Sequence, residues 1–202
     1  MIGKNPKTFI VGAGPVATAM AGSLRKGGLP VLGLWARRPA AARNAGGISG
    51  VAAYSAAPPD MILESEVILL AVRDDAISSV AKMLVATGLV SKQHVMLHCS
   101  GALSSDEAFA EVRDSIGGAG ILHPLRAIPD GRSAMDEMEG TVFGVQGDEE
   151  GMRAARALLT TIKGQELVLD AEQMASYHAA AAVASNYLVA LLDVAAKLLT
   201  ES

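Results

Sequence analysis

Three short stretches hold the side chains that could move a proton: His98-Cys99-Ser100-Gly101, His123-Pro124, and Tyr177-His178 with Ser185-Asn186 further along the same segment. Imidazole suits acid–base work because its proton affinity lies near neutrality and shifts readily with its surroundings. His123 stands before a proline at the end of an apolar run, where packing rarely needs a polar residue. Ser100 is either a ligand contact or, with Gly101, an ordinary turn. His178 and Asn186 are eight residues apart; in a helix that separation means about 80° of rotation and ~12 Å of rise. They can line one side of a cleft but not touch one atom, or they can hydrogen bond within a helix–helix interface. The candidates for chemistry are therefore His123, His178, Ser100 and Asn186. His98, Cys99, His123 and His178 are permissible zinc ligands, yet no pair has the short spacing of structural sites. No G-x-S-x-G elbow is present to support a serine hydrolase.

A second constellation speaks to phosphate. The run Thr8-Phe9-Ile10-Val11 leads into Gly12-Ala13-Gly14-Pro15-Val16-Ala17, and an alanine-rich helical stretch follows to Leu24. This is the G-x-G-x-x-A form of the dinucleotide fingerprint, in which each small residue has a job. Gly12 permits the tight turn, Gly14 lets backbone amides approach a pyrophosphate, and Ala17 keeps the helix close to the sheet. Pro15 suits an early helical position, and the helix start offers free amides and partial positive charge to phosphates. About twenty positions on, where a NAD site usually has a carboxylate for the ribose hydroxyl, the chain reads Ala36-Arg37-Arg38. No Asp or Glu occurs before Asp60, so the first 59 residues carry +7 and the remainder −11 of the net −4. Two guanidiniums without a carboxylate suit a 2′-phosphate; the bland alternative is solvated loop charge. NADP(H) is the expected cofactor. A signal peptide is rejected, because the glycines and Pro15 interrupt the apolar helix it needs.

These groups must be held by elements that the pattern also predicts. Val67 to Val72 is a continuous apolar run, as in a parallel strand buried on both faces. Strands are expected at 30–35, 51–54, 94–99, 120–122, 141–145 and 166–169 as well. Helices are expected at 40–45, from Asp74 or Asp75 through Val85, after Ser104, at 149–162, and as one stretch over 172–199. Ser104 to Glu107 forms an S-x-x-E capping box. Alternation of this kind means an α/β, doubly wound, mostly parallel sheet, with ligands beyond the carboxyl ends of its strands. Val72-Arg73, Ser100 and His123 fall at such ends, and Val72, Arg73 and Ser100 join the fingerprint residues and Arg37-Arg38 as candidate cofactor contacts. A single cysteine excludes an internal disulfide and fits a reducing, cytoplasmic setting. Few aromatics, mild acidity and no basic stripe outside the fingerprint region argue against nucleic acid. No apolar run approaches a membrane span.

The motifs GAGPVA, AVRDDAI, HCSGAL, ILHPLRAI, TVFGVQGD and YHAAAAVASNYLVALL, in that order, resemble the Rossmann-like proteins carrying the domain of unknown function 2520. That family is similar to the 6-phosphogluconate dehydrogenase-like oxidoreductases, including pyrroline-5-carboxylate reductase. The resemblance implies a Rossmann sheet over residues 1–170 and a long helix over 171–202 that begins a helical dimerisation and substrate domain. It implies an NADP-dependent oxidoreductase acting on a small substrate as a homodimer. Three departures stand out. Arg73 replaces the proline usual after strand 4. Ala182 occupies the lysine position of the K-x-x-x-N helix that related hydroxyacid dehydrogenases use, leaving His123 or His178 to carry the proton. The family's helical domain continues beyond Ser202, so a shortened protein or a missing substrate half is expected. The rival expectation is a non-catalytic NADP(H)-binding sensor or assembly module.

Overall fold

The computed structural model describes residues 2–200, without the side chains of residues 185, 186 and 188. Eight strands form one sheet in the order β3-β2-β1-β4-β5-β6-β7-β8. They are β1 (Thr8–Val11), β2 (Val31–Ala36), β3 (Ala53–Ser55), β4 (Val67–Leu70), β5 (Val95–His98), β6 (Gly118–Pro124), β7 (Val142–Gly147) and β8 (Gln165–Val168). β1 to β6 run parallel, β7 is antiparallel to β6, and β8 is parallel to β7. The expected α/β, doubly wound, mostly parallel class is what forms. Strand order reverses between β1 and β4, and that is the switch point at which open sheets of this type take ligands.

Alternation along the strands divides the core into two layers. Ile10, Leu69 and Leu97 face α1 (Pro15–Lys26), α2 (Pro39–Ser49) and α6 (Glu149–Ile162). Phe9, Val11, Ile68, Leu70 and Met96 face α3 (Ile77–Ala86) and α4 (Ser105–Phe109). β4 is buried along its whole length, as its unbroken Val-Ile-Leu-Leu run requires. The capping box forms at α4: Ser104 Oγ accepts from Glu107 N–H at 3.2 Å, and Glu107 Oε2 accepts from Ser104 N–H at 2.9 Å. These bonds to its charged form hold the Glu107 carboxyl below the usual range.

Several elements depart from expectation for local reasons. α2 continues through Gly46-Gly47 to Ser49 because Gly46 packs its bare Cα on Ala53 of β3, where a Cβ would lie 2.6 Å from the Ala53 Cβ. The left-handed stop falls instead on Gly50, at φ +72°. Neither Asp74 nor Asp75 caps α3; residues 74–76 form a 3₁₀ turn and Ala76 stands at the cap. β6 is longer than expected, so His123 lies inside the strand, opposite Gly144 of β7. A further helix, α5 (Gly131–Asp136), packs on α1, with Ser23 Oγ donating to the Met135 carbonyl at 2.8 Å.

The last segment is not one uniform helix. α7 (Met174–Ala182) passes through a π-helical turn at Val183–Tyr187 into α8 (Leu188–Thr200). The sheet covers only its beginning. Met174 and Tyr177 pack there, but along α8 Leu191 is 68% exposed and Leu199 79% exposed. Among the described residues no helix is long and apolar enough to cross a membrane, and no cluster of His, Cys, Asp or Glu could hold a metal ion.

Candidate active site

A cleft of about 940 Å³ opens over the carboxyl ends of β1, β2 and β4. The fingerprint turn, Gly12 to Val16, forms its floor, with Arg37 and Arg38 on one side and Val72 and Arg73 on the other. Gly12 has φ +136°, and a Cβ there would lie 2.2 Å from the Ala71 carbonyl oxygen. The glycine therefore lets the turn press against the end of β4. Ala17 is buried beneath it. Gly14 is different: a Cβ there would meet no protein atom within 4 Å. It faces open cleft at the start of α1, where no side chain caps the helix and no acidic residue sits in the first turn. The amides and the partial positive charge of that end are left for a ligand. A pyrophosphate fits this cradle.

Arg37 and Arg38 are exposed, and among the described residues neither enters an ion pair. Arg73 differs, since its guanidinium is paired with Asp75 at 2.8 Å. The far wall comes from Ala76, at the cap of α3, and from Ser79, Val80 and Met83 of that helix. None of these four was named from sequence as a cofactor contact, Val80 counting there only toward the apolar periodicity of the helix, although their spacing of three and four marks one helix face. Trp35 and Asp74 also line the cleft, as does Cys99 at the end of β5. Burial pushes the Cys99 thiol up to about 12, so it remains protonated and unreactive.

His98 and Ser100 are turned away from this space. His98 is fully buried, edge-on to Phe109 with centroids 5.5 Å apart, and its Nδ1 accepts from Ser100 N–H at 3.2 Å. Ser100 is buried too, its Oγ accepting from Ala102 N–H at 3.1 Å, and it is not among the lining residues of either cavity. The serine closes a turn.

His123 lines a second cavity of about 640 Å³ together with Tyr177 and His178. His123 Nδ1 and Tyr177 Oη are 2.9 Å apart, and the rings meet edge-on at 5.6 Å. Two glycines make room for the pair: a Cβ on Gly101 would come within 2.7 Å of the His123 ring, and one on Gly144 within 2.7 Å of Tyr177 Oη. Burial, assisted by nearby His178, pushes His123 down to about 4 against the opposing charge of Asp74. Burial raises Tyr177. At pH 7 the pair is thus a neutral imidazole bonded to a protonated phenol. His178 is exposed on the same wall. The Asn186 side chain lies outside the described residues. Tyr177 stood in one of the polar stretches noted in the sequence but was given no role there, and Arg126, also on this wall, was not named at all.

The buried imidazoles give stability a definite pH dependence. His98, like His123, is pushed by burial to about 4 from its usual 6.5. Between those values the unfolded chain binds protons that the native one does not, so stability is complete above 6.5 and declines as pH falls toward 4. For fully buried His98 the loss is on the order of 3 kcal/mol. Urea unfolding at about pH 7 and about pH 4.5 should show the lower midpoint in acid, and His98→Leu should reduce the difference. A variant with the wild-type difference would show that His98 is not the titrating group.

Residues 4–127 match the Rossmann-like domain. The chain belongs to that family. Residues 141–202 match the domain of unknown function DUF2520. Among solved structures, protein TM1727 from Thermotoga maritima is 28% identical, with a TM-score of 0.69 over 96% of this chain and 69% of its own. Protein BF3122 from Bacteroides fragilis, whose name as an NADP oxidoreductase is provisional, is 19% identical, with a TM-score of 0.76 over 98% of this chain and 73% of its own. The NADP-bound pyrroline carboxylate reductase of Plasmodium falciparum is 12% identical, with a TM-score of 0.65 over 96% of this chain and 70% of its own. The last two show a shared fold. No curated protein matches the chain.

Proposed function

We propose that the protein is an NADP(H)-dependent oxidoreductase acting on a small substrate held beside His123, Tyr177 and His178. The observation that carries this reading is the adjacency of two cavities, one shaped for a dinucleotide and one holding proton-bearing side chains. Asp74 lines the first and acts electrostatically on His123 in the second. Cys99 of the first is two residues from Gly101, which packs on the His123 ring. When bound, the cofactor supplies a hydride to a carbonyl or imine carbon, or accepts one from an alcohol or amine. The chain's own residues do the rest. Gly14 and the amides opening α1 receive the pyrophosphate, and Arg37 and Arg38 pair with a 2′-phosphate. His123 stays neutral and fixes the Tyr177 hydroxyl. Exposed His178 gives a proton to the substrate heteroatom in reduction and takes one back in the reverse direction.

Incubation of the protein and NADPH with a panel of small carbonyl compounds and imines tests the reading. Consumption of NADPH with one of them, lost in His178→Ala, is the expected result. One observation favours a second reading, a non-catalytic NADP(H)-binding module: Ala182 lines the substrate cavity and brings no amine to it. Tight NADPH binding without consumption across the panel would decide for that module.

The same reading takes residues 1–170 as the dinucleotide-binding domain and 171–202 as the start of a helical region that dimerises. Its support is the apolar surface of α8, larger than soluble monomers usually tolerate. A two-fold pairing of the helix with a second copy covers it most simply. Light scattering should report a dimer at micromolar concentration, and Leu191→Glu with Leu198→Glu should shift it to monomer. A wild-type chain that stays monomeric without aggregating would contradict the pairing.

A further inference from the structure

The charge balance of the cavity beside His123 points to the class of molecule it takes, an inference that rests on that cavity being the substrate site of the proposed oxidoreductase. Strand pairing sets out one wall. His123 of β6 lies opposite Gly144 of β7, and Gly144 lies beside Leu167 of β8. Paired residues project to the same face of a sheet, so His123 and Leu167 stand about 10 Å apart with only a glycine between them. Tyr177 of α7 reaches into the gap that the glycine leaves, its Oη 2.7 Å from where a Gly144 Cβ would be. The row is therefore polar at its His123 end and apolar at its Leu167 end. Leu125 and Leu167 both line the cavity, yet they are 37% and 39% exposed, which leaves apolar surface for a ligand to cover. The helical segment adds Ala180, Ala181 and Ala184 on the face that carries Tyr177.

The fixed charge on this wall is already matched inside the protein. Among the described lining residues Arg126 is the one Lys or Arg, and there is no Asp or Glu. Its Nη1 donates to the Glu137 carbonyl and the Thr141 hydroxyl, its Nη2 donates to the Glu137 carboxylate, and its Nε is buried. Burial keeps the His123 imidazole neutral at pH 7 and the Tyr177 phenol protonated. An ion moving in would give up its water to apolar walls and meet no uncompensated opposite charge, which costs far more than burying a neutral polar group. A carbonyl oxygen needs only one or two hydrogen bonds, and the imidazole and phenol end can supply them. We propose that the substrate of this cavity is an uncharged carbonyl compound with a compact apolar body, its oxygen toward Tyr177 and His178 and its body against Leu125, Leu167 and the alanines. A body of about six carbons suits a space of about 640 Å³ that also admits the edge of a nicotinamide.

Probes of one shape and different charge read this preference without turnover: cyclohexanecarboxamide, cyclohexanecarboxylate and cyclohexylmethylammonium. Each is titrated into the full chain at about pH 8, above the usual imidazole range, and followed by the histidine ring signals in NMR spectra. The carboxamide should move the His123 and His178 signals saturably, and both ions should bind roughly tenfold more weakly or worse. Ala182→Lys brings an amine to a lining position and should tighten the carboxylate by about tenfold, a gain that no damaged fold would produce. A wild-type chain that binds either ion as tightly as the carboxamide, or binds none of the probes, would overturn the proposal. So would an Ala182→Lys variant that gains nothing for the carboxylate. Failure of the oxidoreductase reading looks different: the carboxamide binds with the stated preference, but no carbonyl compound consumes NADPH. An oxo acid turned over faster than cyclohexanone would do the reverse, removing the uncharged substrate and leaving the oxidoreductase.

Discussion

Gly12→Val should unfold the protein or come close to it, whereas Gly14→Val should leave it folded and unable to bind the cofactor. The two glycines are two residues apart and look interchangeable in sequence, but their surroundings are opposite. At Gly12 a Cβ would sit 2.2 Å from the Ala71 backbone carbonyl just past the neighbouring strand β4, in a conformation at φ +136° that side chains rarely adopt. Neither the strand nor the turn can give way without breaking the β1–β4 register, which pairs Val11 with Leu70. Strain and overpacking together should cost about 3 to 5 kcal/mol, a large part of a small domain's stability. At Gly14 the new side chain meets no protein atom and fills the space that the pyrophosphate needs. Thermal unfolding and NADPH titration of both variants check the contrast. A Gly14→Val protein that binds NADPH normally would reduce the fingerprint to a structural turn.

Replacing Arg37 and Arg38 together by Ala should weaken NADPH roughly 30- to 100-fold and change NADH little. Charge-assisted hydrogen bonds to a phosphate contribute ~2–3 kcal/mol when the pair is accessible and uncompeted. Both side chains are exposed on the cleft and free of ion pairs among the described residues, so nothing in the fold depends on them. Wild-type affinity for NADPH should fall steeply with salt, and the variant's should fall less. Equal losses for the two cofactors would remove the 2′-phosphate from this end of β2.

The cofactor side of the molecule was largely legible in the sequence, because it is built from local pattern. The apolar run of β4, the fingerprint turn, the Ser104–Glu107 box and α6 each declare themselves within a dozen residues. The substrate side was not, because it is built from contacts distant in the chain. Tyr177 meets His123 across 54 residues only because β6 extends through His123 and pairs antiparallel with β7. Arg126 shares a cavity with Tyr177 only through the fold, not through any spacing in the chain. Ser100 sits where strand ends usually present ligand contacts, yet a backbone N–H two residues on claims its hydroxyl. α5 went unseen because six residues are too few to show periodicity, although Asp130 caps it through the amides of Arg132 and Ser133.

The central claim, that the cleft at the switch point takes NADP(H), has a built-in reporter. Trp35 is the only tryptophan in the chain and lines the cleft at the end of β2. Titration with NADPH should quench its fluorescence and produce sensitised emission from the bound dihydronicotinamide, saturating at low micromolar cofactor, with NADH at least tenfold weaker. Absence of quenching and of sensitised emission up to millimolar NADPH would contradict the account.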